Sequence, residues 1–288
     1  MVKRISYVLT ALIICLSFVL LSGCNGSGED QSEANGMTDY TVTLLTEGGM
    51  PVSDVYVYVY KDETRSSMLW AAKTDSEGKV SFSAQAHPNG IVTLRDLPEW
   101  CKSEDKYPLT ETTVISLKTG LLDASGFEGS TAALGSYVHD FTVTATDGKS
   151  YKASELLKTK KALVLNLWFI GCGPCRMEFP YLQQAYESYS DVLEIIAINP
   201  YDGTDKTVAE YAQDIGLTFP VASGDAVWQR YLNITAYPTT VIIDRYGMIA
   251  LAHKGAITES GIFEKIFAYF TADGYTQKTV RNLSEIIY

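Results

Sequence analysis

The sequence has few basic residues, few histidines and a single closely spaced pair of cysteines. It contains 23 lysines and arginines against 34 acidic residues, which gives a formal charge of -11. Nucleic-acid binding needs clustered basic residues, so we predict no nucleic-acid partner. The three histidines, His87, His139 and His253, are scattered singly, and one Cys-X-X-Cys supplies at most half of a four-ligand zinc site. We therefore expect neither a metal nor another cofactor.

The chain also lacks an apolar run of typical membrane-spanning length. Its first run, from Ile5 to Leu21, is shorter than the roughly 20 residues of such a span. Lys3 and Arg4 precede this run and small residues follow it, which is the layout of a secretory signal peptide over residues 1–23.

The end of this run, Leu21-Ser22-Gly23-Cys24, resembles the lipobox of bacterial lipoproteins. The resemblance implies that Cys24 is acylated and anchors the protein to the bacterial cell membrane outside the cytoplasm. Residues 24–39 follow without an apolar period, and their polar composition predicts a disordered tether.

Residues 40–118 are predicted to form an all-β sandwich domain. Val55, Val57 and Val59 alternate with three tyrosines, which indicates a strand with both faces covered. The polar stretch at 74–79 lies between two apolar runs and predicts a hairpin.

The same domain resembles the transthyretin-like or Cna-B-like modules of exported proteins. The stretches that carry this resemblance are Gly49–Val57, Thr74-Asp75 and Gly78-Lys79-Val80. Such a module implies a structural spacer or a partner-binding domain.

Residues 119–136 are rich in Gly, Ser and Ala and predict a linker. Residues 137–288 then alternate strand and helix patterns, which predicts an α/β domain with a mixed sheet. The predicted strands are 162–169, 192–198, 239–244 and 248–252, and the predicted helices follow Cys175 and cover 206–215, 226–231 and 260–270.

Cys172-Gly173-Pro174-Cys175 lies where a buried strand passes into a helix, which is the context that a redox Cys-X-X-Cys requires. Two intervening residues bring both sulfurs within disulfide reach, and a helix N-terminus stabilises a thiolate. We predict that Cys172, at the exposed start, is the nucleophile and that Cys175 resolves the mixed disulfide. An isolated pair of this kind could instead be half of a zinc site or incidental.

Residues from about 138 to 258 resemble the TlpA-like branch of the thioredoxin superfamily, which includes the ResA and CcmG reductases of cytochrome c maturation. The resemblance is carried by Phe141-Thr142-Val143 through Asp147-Gly148-Lys149, by Asn166-Leu167-Trp168-Phe169 and by Tyr237-Pro238-Thr239-Thr240. It implies a thioredoxin-like fold, with a mixed central sheet flanked by helices, and a protein-disulfide reductase activity.

The resemblance assigns further site residues. Pro238 matches the family's cis-proline, which faces the cysteines and holds a substrate strand through backbone groups. Tyr237 would then lie at the substrate surface, with an ordinary packed tyrosine as the alternative. Family members usually carry Trp before the first cysteine, where this chain has Gly171, and this departure leaves the substrate preference open.

Glu178 matches the acid that ResA-like members carry three residues after the second cysteine. This spacing places it on the helix face of Cys175, where a partly buried carboxylate would raise cysteine pKa values and relay a proton to the leaving thiolate. The alternative is a first-turn acid that complements the helix N-terminus. Pro180 predicts a kink in this helix.

The leading hypothesis is a lipid-anchored enzyme that reduces disulfides in exported proteins. The resemblance implies disulfide-containing protein substrates and a membrane thiol-relay electron donor of the CcdA or DsbD kind. The alternative is a surface binding or adhesion lipoprotein that uses the thioredoxin-like domain as a scaffold. A Sco-type copper chaperone would carry CxxxC with a nearby His, and a peroxiredoxin would use a lone peroxidatic cysteine. The CxxC of this chain argues against both. For Cys101 we expect a buried inert thiol, with an intermolecular partner as the alternative.

Overall fold

A computed structural model describes residues 36–201, 204–224 and 226–288 of the chain. The predicted signal peptide and the lipidation site at Cys24 lie outside these residues and stay predictions. Among the described residues, none of the helices has the length and apolarity that a membrane span requires.

The first part of the described chain, residues 37–119, is called the β region here. Its strands are β1 (Met37–Thr46), β2 (Tyr56–Tyr60), β3 (Met68–Lys73), β4 (Lys79–Gln85), β5 (Ile91–Arg95), β6 (Cys101–Lys102), β7 (Tyr107–Pro108) and β8 (Thr112–Thr119). They form two four-stranded sheets, in the orders β4-β1-β8-β6 and β3-β2-β5-β7. Alternation along the strands places aliphatic side chains of both sheets in one shared core.

The hairpin predicted at residues 74–79 is wrong. β3 pairs with β2 and β4 pairs with β1, so the turn between them carries the chain from one sheet to the other. The Thr74 hydroxyl donates to the carbonyl of Val52 (2.8 Å) and accepts from the N–H of Val55 (3.2 Å), which fixes the turn beside the start of β2. The tyrosines of β2 are only half-buried, so its valine face alone packs into the core.

The second part, residues 137–288, is called the mixed-sheet region. Its elements are β9 (Thr142–Thr144), β10 (Ser150–Lys152), α1 (Ala153–Leu156), β11 (Ala162–Leu167), α2 (Gly173–Tyr189), β12 (Leu193–Asn199), α3 (Asp205–Asp214), β13 (Val221–Ser223), α4 (Ala226–Tyr231), β14 (Thr239–Asp244), β15 (Ile249–Lys254), α5 (Ile262–Thr271) and α6 (Ser284–Ile287). The central sheet has the order β13-β12-β11-β14-β15. The first three strands run parallel and the last two antiparallel to their neighbours, which confirms the predicted mixed sheet.

Both faces of this sheet are covered, since every residue of β11 and β14 is buried. Helices α2, α3 and α5 pack on one face. Helices α1 and α4 cover the other face together with part of the stretch 119–136, in which Phe127 contacts Trp228 and Tyr231 at ring-centroid distances of 4.9 and 4.4 Å. The stretch predicted as a linker thus contributes to this core.

The chain after α5 returns to the β region. The hydroxyls of Thr46 and Tyr137 both donate to Oε1 of Gln277, each at 3.0 Å, and the Gln277 N–H donates to the carbonyl of Gly48 at 3.0 Å. Residues 37–288 form one compact unit. Their division into two separate domains stays a prediction.

Candidate active site

The two cysteines of the motif form a disulfide at the N-terminus of α2. Cys172 is the N-cap residue, and its Sγ accepts a hydrogen bond from the N–H of Cys175 (3.1 Å). Pro174 lies in the first turn, where no intrahelical donor is lost. The partial positive charge of this helix end stabilises a thiolate on Cys172 whenever the disulfide is reduced.

Cys172 is less exposed than the sequence suggested. Its residue exposure is 5%, against 1% for Cys175, because the loop before it folds back and the Cys172 N–H donates to the carbonyl of Phe169 (3.1 Å). Cys172 remains the more exposed of the two cysteines. Gly171 has a φ of +88°, a conformation that favours glycine, and a tryptophan at this position would be strained.

Glu178 lies inside the protein, with no exposed surface. Its Oε1 accepts from the side-chain amide of Asn166 and its Oε2 from the N–H of Ile257, each at 2.8 Å. Burial raises the pKa of Glu178 to about 7, and the two donors oppose that rise because they favour the carboxylate. These contacts do not support the interpretation as a first-turn acid, since the carboxylate bonds to groups outside α2.

Asn166 is a site residue that sequence reasoning did not single out. Its Nδ2 donates to Glu178 and also to the hydroxyl of Thr240 (3.1 Å), so it joins β11, α2 and β14. The available signal was a polar side chain within the apolar strand 162–167, because a buried amide needs hydrogen-bond partners.

The helix α2 continues through Pro180, the position of the predicted kink, to Tyr189.

The peptide bond between Tyr237 and Pro238 is cis, as expected. This bond directly precedes β14, and β14 pairs with β11. It therefore lies at the same end of these strands as the start of α2. The carbonyl of Pro238 accepts from the N–H of Gly255 (2.8 Å). Tyr237 is half-buried against Phe169, so it is packed and also partly open to solvent. The catalytic and substrate-binding roles assigned to these residues stay predictions.

The remaining candidates lie apart from this site. Cys101 is free and buried in the core of the β region, and burial raises the pKa of its thiol to about 12. The described residues contain no group of three or more His, Cys, Asp or Glu side chains that could hold a metal ion. The arrangement that the structure brings together is a disulfide at a helix N-terminus, a buried carboxyl three residues later on the same helix, and a cis-proline.

Comparison with known proteins supports thiol-disulfide exchange. Residues 134–252 match the model of the AhpC/TSA family, which is less than half of the chain. The chain is 31% identical to the thioredoxin-like protein YneN of Bacillus subtilis over 134 residues, which cover 46% of this chain and 78% of the relative. It is 32% identical to the thiol-disulfide oxidoreductase ResA of Halalkalibacterium halodurans over 161 residues, which cover 54% of this chain and 89% of the relative.

Among solved structures, a thiol:disulfide interchange protein of the thioredoxin family from Chlorobium tepidum is similar to the chain. The identity is 26% and the TM-score is 0.39, over 48% of this chain and 94% of the other.

Proposed function

Because the chain belongs to the ResA-like family of thiol-disulfide oxidoreductases in the thioredoxin superfamily, we propose that it reduces disulfides in exported proteins. It is an enzyme of thiol-disulfide exchange. The observation that carries the proposal is the Cys172–Cys175 disulfide at a helix N-terminus, with the buried Glu178 one turn further along the same helix.

The reaction starts from the reduced pair. The thiolate of Cys172 attacks one sulfur of the substrate disulfide, an S–S bond forms between enzyme and substrate, and the second substrate sulfur leaves as a thiolate that takes up a proton. Cys175 then loses its proton and attacks Sγ of Cys172, which releases the first substrate sulfur. The substrate gains two electrons and two protons, and the enzyme is left with the disulfide seen in the structure.

Glu178 supplies the proton acceptor for the second step. Its spacing of three from Cys175 places it on the same helix face. A carboxyl with a pKa of about 7 accepts a proton from the Cys175 thiol and returns it to a leaving thiolate near neutral pH. The hydrogen bonds from Asn166 and Ile257 hold the carboxylate in place during both transfers.

The location and the partners belong to the same proposal. A reductase outside the cytoplasm must be re-reduced after every turnover, and a membrane thiol-relay protein of the CcdA or DsbD kind would supply the electrons. The signal sequence and Cys24 support a lipid anchor that keeps the enzyme near such a donor. Apocytochrome c is the substrate class that the resemblance suggests. Incorporation of labelled fatty acid, lost in Cys24→Ala, tests the anchor.

For the β region we propose a β-sandwich that acts as a spacer or contact module. Its two four-stranded sheets share one aliphatic core. Its one described cysteine, Cys101, is buried and protonated at neutral pH. These features support a structural role and leave the electron transfer to the mixed-sheet region.

The reduction potential of the Cys172–Cys175 pair tests the proposed direction. The purified protein with Cys101→Ser is equilibrated with thiol buffers, and the dithiol fraction is counted by alkylation. We expect a value near the thioredoxin figure of about -270 mV. A value near the DsbA figure of about -120 mV would indicate an oxidase. Absence of a reversible couple in the folded protein would favour the scaffold alternative.

A further inference from the structure

Three aromatic side chains contact one another at the sheet edge that carries the disulfide. Tyr237 lies 5.4 Å from Phe169 and 5.4 Å from Tyr201, and Phe169 lies 6.0 Å from Tyr201, measured between ring centroids. All three pairs are edge-to-face arrangements, which are favourable between aromatic rings. We call Phe169, Tyr201 and Tyr237 the aromatic shelf.

The topology explains why these rings meet. β11 and β12 run parallel with Leu167 opposite Ile198, so the residues after both strands emerge at one edge. β14 runs antiparallel to β11 with Leu167 opposite Thr239, and continuing this register places Phe169 opposite Tyr237. The shelf therefore forms from three chain segments at this edge of the sheet.

The shelf is joined directly to the nucleophile. The carbonyl of Phe169 accepts the hydrogen bond from the Cys172 N–H (3.1 Å), and Tyr237 forms the cis bond with Pro238. The position where a Cβ of Gly171, the residue before Cys172, would lie has no neighbouring atom within 4 Å. A polypeptide that approaches Cys172 thus finds open space at Gly171 and an aromatic surface at the shelf.

Tyr201 is the exposed member of the shelf, with 56% of its surface open to solvent. Its position is nevertheless fixed, because its hydroxyl accepts from the side-chain amide of Gln229 (2.9 Å) and its N–H donates to Oδ1 of Asn199 (3.0 Å). A ring that is held in place before binding loses little conformational entropy when a ligand packs against it. An exposed, oriented aromatic ring beside a reactive disulfide has the properties of a recognition surface.

We propose that the aromatic shelf binds an aromatic side chain of the extended polypeptide whose disulfide Cys172 attacks, and that Tyr201 determines this preference. The proposal rests on the proposed reductase function and adds the substrate feature that the enzyme selects. An aromatic occupant fits because the surface presents ring faces and edges and no charged side chain of its own. Contact with the shelf holds the substrate cysteine next to Cys172.

The test measures the reaction of the reduced protein with two synthetic cyclic peptides in a single turnover. Each peptide is closed by one disulfide, and its cysteines are flanked by tryptophan in one peptide and by alanine in the other. We expect the second-order rate constant to be about 3- to 10-fold higher for the tryptophan peptide, the ratio that one aromatic contact provides. Tyr201→Ala should bring this ratio close to one.

Two further variants separate loss of the ring from other effects. Tyr201→Phe keeps the ring and its contacts with Phe169 and Tyr237 but loses the hydrogen bond from Gln229, so the ratio should fall only in part and stay clearly above one. Tyr288→Ala removes a fully exposed tyrosine at the C-terminus and should keep the full ratio. A ratio of one in the unmodified protein, or an unchanged ratio in Tyr201→Ala, would overturn the proposal.

A small aliphatic disulfide, oxidised 2-mercaptoethanol, distinguishes failure of the shelf from failure of the proposed function. If the unmodified protein reduces it but shows no preference between the peptides, the reductase function stands and the shelf does not. If the reduced protein reacts with neither the small disulfide nor the peptides, both proposals are overturned.

Discussion

The β region buries one cysteine and the mixed-sheet region buries two, but only the mixed-sheet region also buries a carboxyl on the helix that carries its cysteines. The buried polar side chains of the β region are threonines. The mixed-sheet region buries Asn166 and Glu178, which hydrogen-bond to each other, and Glu178 lies three residues after Cys175 on α2. The difference is consistent with the proposal that the second core serves chemistry as well as packing.

The cysteines themselves show what decides reactivity. Cys101 lies in the short strand β6 and has only desolvation acting on its thiol, which raises the pKa to about 12. Cys172 is also largely buried, yet it caps a helix, and its sulfur accepts a hydrogen bond from the N–H of Cys175. Burial alone makes a thiol inert, whereas burial at a helix N-terminus allows a thiolate.

The largest expected effect comes from replacing cysteines in the two regions. Cys172→Ser or Cys175→Ser should lower disulfide reduction by at least about 10³-fold, because the attacking or the resolving sulfur is lost. Cys101→Ala should leave the rate within about twofold, since its thiol stays protonated. Turnover of insulin disulfides with dithiothreitol as electron donor checks both. Loss of activity in Cys101→Ala at unchanged stability would contradict the assignment of chemistry to one region.

The next effect concerns the buried acid. Glu178→Gln should lower the rate at pH 7 by about 10²-fold, the usual contribution of a positioned proton acceptor, and should remove the inflection near pH 7 from the pH profile. Glu187→Gln, on the exposed part of the same helix, is the matched control. An unchanged pH profile in Glu178→Gln would show that another group carries the proton.

Glu178 should also make stability depend on pH. Its pKa is raised from 4.5 to about 7 in the folded protein, so its contribution is fully present below about pH 4.5 and is lost as the pH rises through about 7. The loss amounts to about 3 kcal/mol at most. Urea unfolding of the oxidised protein at several pH values measures it, and Glu178→Gln should lack this component. An equal slope in both proteins would rule out the raised pKa.

A smaller effect tests the connection between the regions. Gln277→Ala removes the acceptor for the hydroxyls of Thr46 and Tyr137, which should cost about 1–3 kcal/mol. We expect one unfolding transition in the unmodified protein and two in the variant, because this side chain joins the β region to the mixed-sheet region. Calorimetry with the exposed Gln213→Ala as control checks this. A single transition at the original temperature would show that other contacts, such as the stacking of Trp100 on Tyr137, suffice.

Much of the site was predictable because its central part is local in the chain. A strand, a Cys-X-X-Cys with proline and a helix follow one another directly, so the sequence alone indicated the disulfide, the helix N-terminus and the mixed sheet. The cis bond at Pro238 followed from the family resemblance. The error at residues 74–79 arose because a turn motif does not reveal which strands its neighbours pair with.

The tertiary structure decided what depends on contacts between distant segments. Glu178 bonds to the N–H of Ile257, 79 residues away, and Thr46 bonds to Gln277, 231 residues away. The raised pKa of Glu178 and the position of Tyr201 beside Tyr237 also depend on contacts between segments that are distant in the chain. Desolvation and ring contacts arise only when the strands pair and the helices cover the sheet, whereas the redox motif is specified by consecutive residues.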